Sequence, residues 1–169
     1  MRAALRDFWA WYERHYTLNV GIAAGLFVVQ LVHLFWLTVD PFWALVFGDP
    51  LLVIEKPWSW PVLLVDYTEV PALLSVSLVY VNELRTSGRS LRPIAYLVFL
   101  NSQWLHIFWI TDAFVVESGT NGGASTLPIW LAYVAIMIDY LELPVIYDTF
   151  RKLGRSMRER RLETLEDVT

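Results

Sequence analysis

Four stretches, each long and apolar enough to cross a hydrocarbon core as a helix of about 20 residues, constrain this chain more than anything else in it. They run from about Leu18 to Thr38, Trp60 to Val81, Pro93 to Val116 and Leu127 to Phe150. In lipid, every backbone N–H and C=O must bond inside its own segment or a closed barrel. Segments this long therefore predict helices. The chain is 56% hydrophobic and only 18% charged, unlike a soluble domain, and its 169 residues are enough for one domain. It has no Cys, which excludes disulfides and thiolate metal sites. The opening "MRAALRDFWAWYERHY" is charged and aromatic, so no cleavable signal peptide is expected there.

Between the first two stretches lies "VDPFWALVFGDPLLVIEKPWSWP", broken by Pro and Gly and rich in Trp. It reads as a loop with an interfacial segment, because Trp favours the headgroup level. The connectors "NELRTSGRSLR" and "ESGTNGGAST" read as turns. Of the 13 basic residues, twelve fall before the first stretch, between the second and third, or after the fourth; only Lys56 lies on the other side. The positive-inside rule then puts both termini in the cytoplasm. Residues 151–169 become a cytosolic tail whose acidic end "LETLEDVT" is a solvated helix end or disordered.

A shift of 73 residues, without a gap, lays "QLVHLFWLT" (30–38) on "QWLHIFWIT" (103–111) and "DYTEVP" (66–71) on "DYLELP" (139–144). Gln30/Gln103, His33/His106, Phe35/Phe108, Trp36/Trp109, Thr38/Thr111, Asp66/Asp139, Tyr67/Tyr140, Glu69/Glu142 and Pro71/Pro144 are identical pairs. Generic apolar patterning would match Leu and Val; these matches are polar and aromatic. The expected fold is all-α: a polytopic four-transmembrane-helix bundle forming one membrane domain over 1–169. It consists of two tandem two-helix repeats, about 17–82 and 90–150. Both repeats enter from the same side, so the pseudo-twofold axis lies along the membrane normal.

His33 and Asp66 fall at similar depth on neighbouring helices, and Glu69 shares a face with Asp66, three residues away. The repeat predicts a matching half-site of His106, Asp139 and Glu142. Each charge in hydrocarbon costs at least about 2.5 kcal/mol, and the four stretches contain no Lys or Arg to pair with four carboxylates. Two divalent cations would balance them, with both imidazoles as further ligands. Di-iron and di-manganese bundles use the same inventory of four carboxylates and two histidines. Ligands of this hardness suit iron, manganese or zinc. Gln30 and Gln103, one turn before each His, are natural partners behind the ligands. Glu69 and Glu142 are candidate acid/base groups, and Tyr67 and Tyr140 can orient a ligand or join redox chemistry. Trp36 and Trp109 read as packing or interface anchors, Asp40 and Asp112 as interfacial, and His15 as solvated. Pro71 and Pro144 should kink their helices just past the carboxylates.

The His in the first span, the acids ahead of Pro71, the "DPLL" followed by a Pro/Trp stretch, and the Tyr-Leu-x-x-Pro pattern at Tyr140–Pro144 resemble the EXPERA superfamily. That family includes the emopamil-binding sterol isomerase and sigma-type ligand-binding membrane proteins. The resemblance implies a pocket for sterol-like or amine ligands lined by His33, Asp66 and Glu69, with Gln103. In the isomerase, His and Glu shuttle a proton. Two matching triads and the extra carboxylates of the fourth span depart from that pattern.

Three functions compete. The first is a binuclear metal centre acting as an oxidoreductase on a lipid-soluble substrate such as a quinone, acyl chain, carotenoid or sterol. The second is an EXPERA-like isomerase or lipid-binding protein without metal. The third is a cation or proton carrier, which with only four spans would need a homo-oligomer. Membrane lipids are the expected partners in all three, and nucleic acid in none.

Overall fold

Apolar side chains at helical spacing make helices of every described element. The computed structural model describes residues 2–52, 61, 64–65, 67–88, 90–119 and 129–166, and of residues 41, 109–119, 129 and 132 the backbone alone. Helix α1 spans Arg2–Arg14 and α2 Tyr16–Leu37; one π-helical turn, Thr38–Phe42, leads into α3, Trp43–Phe47. Then follow α4 (Glu69–Ser87), α5 (Leu91–Gly119), α6 (Ile129–Tyr140) and α7 (Glu142–Glu166).

The first expected span is longer than its hydropathy edge suggests. Pro41 has no N–H to give the carbonyl four residues back, and the helix widens into a π turn there instead of stopping. The expected loop beyond Thr38 is therefore helical as far as Phe47. Gly48, at φ 94°, ends it in a conformation that favours glycine. Tyr16–Phe47, 32 residues, is long and apolar enough to cross a membrane. Among the described residues it is the one helix that passes that test. The rest of that connector, 53–60, and the connector residues 120–128 lie outside the described residues. The tail is helical to Glu166.

Helix α2 packs against α4 and α7, α4 against α5, and α5 against α6 and α7, which closes a ring. Its core is Val20, Ala23, Phe27, Leu34 and Leu37 of α2, Leu73, Val76, Val79 and Tyr80 of α4, Leu100, Ile136, Val145 and Ile146. The outward faces are also apolar: Leu18, Ile22, Val28, Val32 and Phe35 of α2, Leu74 of α4, and Val98, Leu105 and Phe108 of α5 are exposed.

One pole of the ring is polar. Tyr16 at the start of α2, Asn82 and Glu83 near the end of α4, and Lys152 and Arg155 of α7 line a cleft of about 360 Å³ there. The helices thus run alternately away from and towards this pole. Asp148 of α7 is buried just inside it and accepts from Arg92 Nη2 of α5 at 2.5 Å, from the Tyr80 hydroxyl at 3.0 Å and from Lys152 Nζ. Lys152 Nζ also meets Glu83 at 2.9 Å. Helix α1 is fastened to the same pole: Arg85 sits 4.1 Å over the Trp9 ring and pairs with Glu13 at 3.4 Å. Burial there pushes the Tyr12 phenol above its ordinary range, with neighbouring Tyr16 adding to the effect. Tyr80→Phe removes one bond to a charged acceptor while keeping the ring. We expect it to cost about 1.5 kcal/mol in thermal unfolding of the purified protein.

Candidate metal centre

Both proline motifs break their helices at the same point. Pro144 cannot donate to the Tyr140 carbonyl, so α6 ends at Tyr140, Leu141 forms a turn with its N–H on the Ile138 carbonyl at 2.9 Å, and α7 begins at Glu142. Ahead of Pro71, Thr68 is likewise a turn residue, its N–H on the carbonyls of Val65 (3.0 Å) and Leu64 (3.3 Å), and α4 begins at Glu69. Pro71 and Pro144 lie exposed on the outer surface, whereas Glu69 and Glu142 point inward and are 2% and 3% exposed. The breaks lie three residues ahead of each Pro, before Glu69 and Glu142, and not just past the carboxylates as expected, because the missing N–H acts on the carbonyl four residues back.

The inward faces collect the polar residues of the repeat. Gln30, His33, Gln103, His106 and Asp139 are all buried, at 3% exposure or less. Asp139 is the meeting point: its Oδ2 lies 3.5 Å from His33 Nε2, and its Oδ1 3.2 Å from His106 Nδ1. The imidazoles stand edge to face, 5.7 Å between centroids. One ligand atom from each of His33, His106 and Asp139 lies within 4.8 Å of the others. The two imidazoles thus approach opposite oxygens of the same carboxylate. The group could hold a metal ion.

The amides stand behind this cluster. Gln103 Nε2 donates to the Ile138 carbonyl at 2.9 Å, next to Asp139. Gln30 Nε2 donates to Thr68 Oγ1 at 3.1 Å, next to Glu69. Among the described residues, the Oε1 atoms of Gln30, Gln103 and Glu142 are buried with no hydrogen-bond partner. Such atoms are costly to bury unless something is bound to them.

The arrangement differs from two separate half-sites in one respect. His33 faces Asp139 of the other repeat, because α2 also contacts α6. Its expected partner Asp66 lies outside the described residues, as do the side chains of Trp109 and Asp112. The tyrosines differ from one another. Tyr140 OH bonds Thr38 Oγ1 at 2.8 Å and its ring meets Phe42, tying the break to the π turn, whereas Tyr67 is 38% exposed. His15, expected to be solvated, is half-buried on α1's end, with Nδ1 2.9 Å from the Trp11 carbonyl. Trp36 packs beside His33 at 6.2 Å between centroids. Sequence inspection did not single out Thr68 or Asp148. For Asp148 the readable signal was its i,i+4 spacing to Lys152 in an otherwise basic segment.

No protein-family model, no curated protein and no solved structure matches the chain.

Proposed function

We propose that this chain is an integral membrane metalloprotein, a four-span bundle of two tandem repeats with both termini cytoplasmic, whose binuclear centre acts on a lipid-soluble substrate. The observation that carries this is the convergence of His33, His106 and Asp139, one ligand atom of each within 4.8 Å of the others, in a buried layer. Glu69 and Glu142, with Asp66, are the further carboxylates for two divalent ions. The apolar outward faces of α2, α4 and α5 support a lipid environment, since patches this extensive are uncommon on soluble monomers. Between the site and the polar pole lies a layer of Val20, Phe27, Val76, Leu100 and Val145, each with no exposed surface. A reactant from the water at that pole would have to pass this layer, which favours one arriving through the lipid. When bound, iron, manganese or zinc would supply Lewis acidity or, for the first two, redox capacity. The chain's own residues would orient the ions and move protons, with Glu142 and Glu69 as the acid/base groups.

Metal analysis of the detergent-purified chain tests the proposal. The expected result is about two equivalents of iron, manganese or zinc, with His106→Ala losing at least half. A metal-free protein whose melting is indifferent to chelators would sink it. The direct His–Asp approaches at 3.2 and 3.5 Å favour a second reading, an EXPERA-like isomerase or lipid binder that shares protons among these groups without metal. Recovery of a sterol or other lipid from metal-free preparations would select it. The paired helix breaks suit a cation carrier as well. Uptake into proteoliposomes, abolished by Asp66→Asn, would select that version.

A further inference from the structure

Helix α1 has no part in the buried cluster, and its rotation is fixed by one residue of α4. Arg85 lies over the Trp9 ring at 4.1 Å and pairs with Glu13 at 3.4 Å, so the side of α1 that carries Trp9 and Glu13 is turned to the end of α4. The chain leaves the helical course at His15, φ −108° and ψ 27°, where α1 meets α2. Asn19 of α2 braces that join by donating from Nδ2 to the Tyr12 carbonyl at 3.1 Å. Trp9 and Tyr12 are buried, whereas Leu5, Phe8 and Trp11 are 59%, 37% and 48% exposed. At about 100° of rotation per residue, Phe8 and Trp11 point roughly 140° and 160° away from Glu13, and so away from α4. Large apolar side chains at i, i+3 and i+6 form one stripe, unlike the isolated exposed apolar residues of an ordinary surface. Directly beyond the join, the exposed Leu18 and Ile22 begin the outward face of α2.

We infer that α1 is an interfacial helix: the stripe of Leu5, Phe8 and Trp11 lies in the headgroup layer of the cytoplasmic leaflet, and Arg85 holds the helix in that plane. This rests on the membrane reading above and gives the bundle a level within the bilayer. Aromatic rings suit the headgroup layer, which is apolar on one side and wet on the other. A helix lying there also needs a charged side for the water, and Asp7, Glu13 and Arg14 of α1 are all exposed. Lipid is favoured over a protein partner because one lipid surface would cover both this stripe and the outward face of α2. His33 follows Tyr16 by 17 residues, about 25 Å of helix. With α1 at the cytoplasmic headgroups and a hydrocarbon core about 30 Å thick, the His33 layer lies in the far leaflet. A lipid-soluble reactant would then reach the site from that leaflet.

The chain has no Cys, so a single introduced one can carry a nitroxide label in the otherwise native full chain. Phe8→Cys, Trp11→Cys, Arg6→Cys and, on the outward face of α2, Val28→Cys are each labelled and reconstituted into vesicles of phosphatidylcholine and phosphatidylglycerol. Collisions of the label with oxygen, which concentrates in lipid, are compared with collisions with a water-soluble nickel chelate. The Phe8 and Trp11 labels are expected to favour oxygen about fivefold more than the Arg6 label, and less than the Val28 label, as a shallow position requires. Thermal melting identifies variants that do not fold, and either stripe position suffices where the other fails. Stripe labels no different from the Arg6 label, beside a Val28 label that favours oxygen, would overturn the interfacial helix and leave the membrane reading standing. Stripe labels shielded from both reagents would overturn it too, because protein and not lipid would then cover α1. A Val28 label that shows no preference for oxygen would overturn the membrane reading itself, and the interfacial helix with it.

Discussion

Pro144→Ala should make the protein more stable and at the same time weaken metal binding at the proposed centre by about 10- to 100-fold. Pro144 is exposed, so the substitution removes little packing. It restores the amide hydrogen that the Tyr140 carbonyl lacks, and with it the route to one continuous helix in place of α6 and α7. A Pro in a helix interior costs about 3 kcal/mol relative to Ala, and part of that is recovered when the break closes. Asp139 and Glu142 stand on opposite sides of the break, however, and their mutual geometry depends on the bend. Changes that misorient ligands without removing them typically cost 10- to 100-fold in metal affinity. The measurement pairs a thermal melt with Co²⁺ titration. Pro71→Ala should raise the melt in the same way but weaken Co²⁺ binding less, since its break lies beside Glu69 and away from Asp139. If Pro144→Ala keeps full Co²⁺ affinity, the break is only a tolerated irregularity and does not position Asp139.

Why the sequence announced some of this and not the rest has a physical explanation. The buried acids were legible because two carboxylates in an apolar stretch are expensive wherever that stretch lies, and their repetition excluded accident. The breaks were legible because a missing N–H acts within four residues, a range the sequence displays directly. The approach of His33 to Asp139 was not legible. A repeat specifies the geometry inside each hairpin, but the rotation of one hairpin on the other is set by side-chain volumes across the core. Here α2 packs against α6, and His33 meets Asp139. The helix through Pro41 was hidden for a related reason. Proline reads as a stop signal, and the π turn that absorbs it leaves no mark in composition. The fastening of α1 was hidden too, because Arg85 and Trp9 are 76 positions apart and nothing local links them.

The polar pole bears the second large effect. Asp148 is 3% exposed and joins three helices through Arg92, Tyr80 and Lys152. Asp148→Ala would leave Lys152 with Glu83 and the Tyr80 ring, and Arg92 with Tyr96 of its own helix, and would loosen α5 and α4 from α7. Breaking a buried charge pair from one side costs about 3–5 kcal/mol. The Arg92 side chain is half exposed and can recover hydration, so the expected loss is near the lower figure, about 3 kcal/mol. Lys152→Met should cost less, because Asp148 keeps both Arg92 and Tyr80. Metal binding should be unchanged in each folded variant, since the apolar layer of Val145, Val76 and Phe27 separates the pole from Asp139. Denaturant unfolding gives the stability loss, and Co²⁺ titration of the same samples gives the affinity. A variant that keeps its stability but loses its metal would mean that pole and site are coupled through α7, and that the apolar layer transmits what it is here said to insulate.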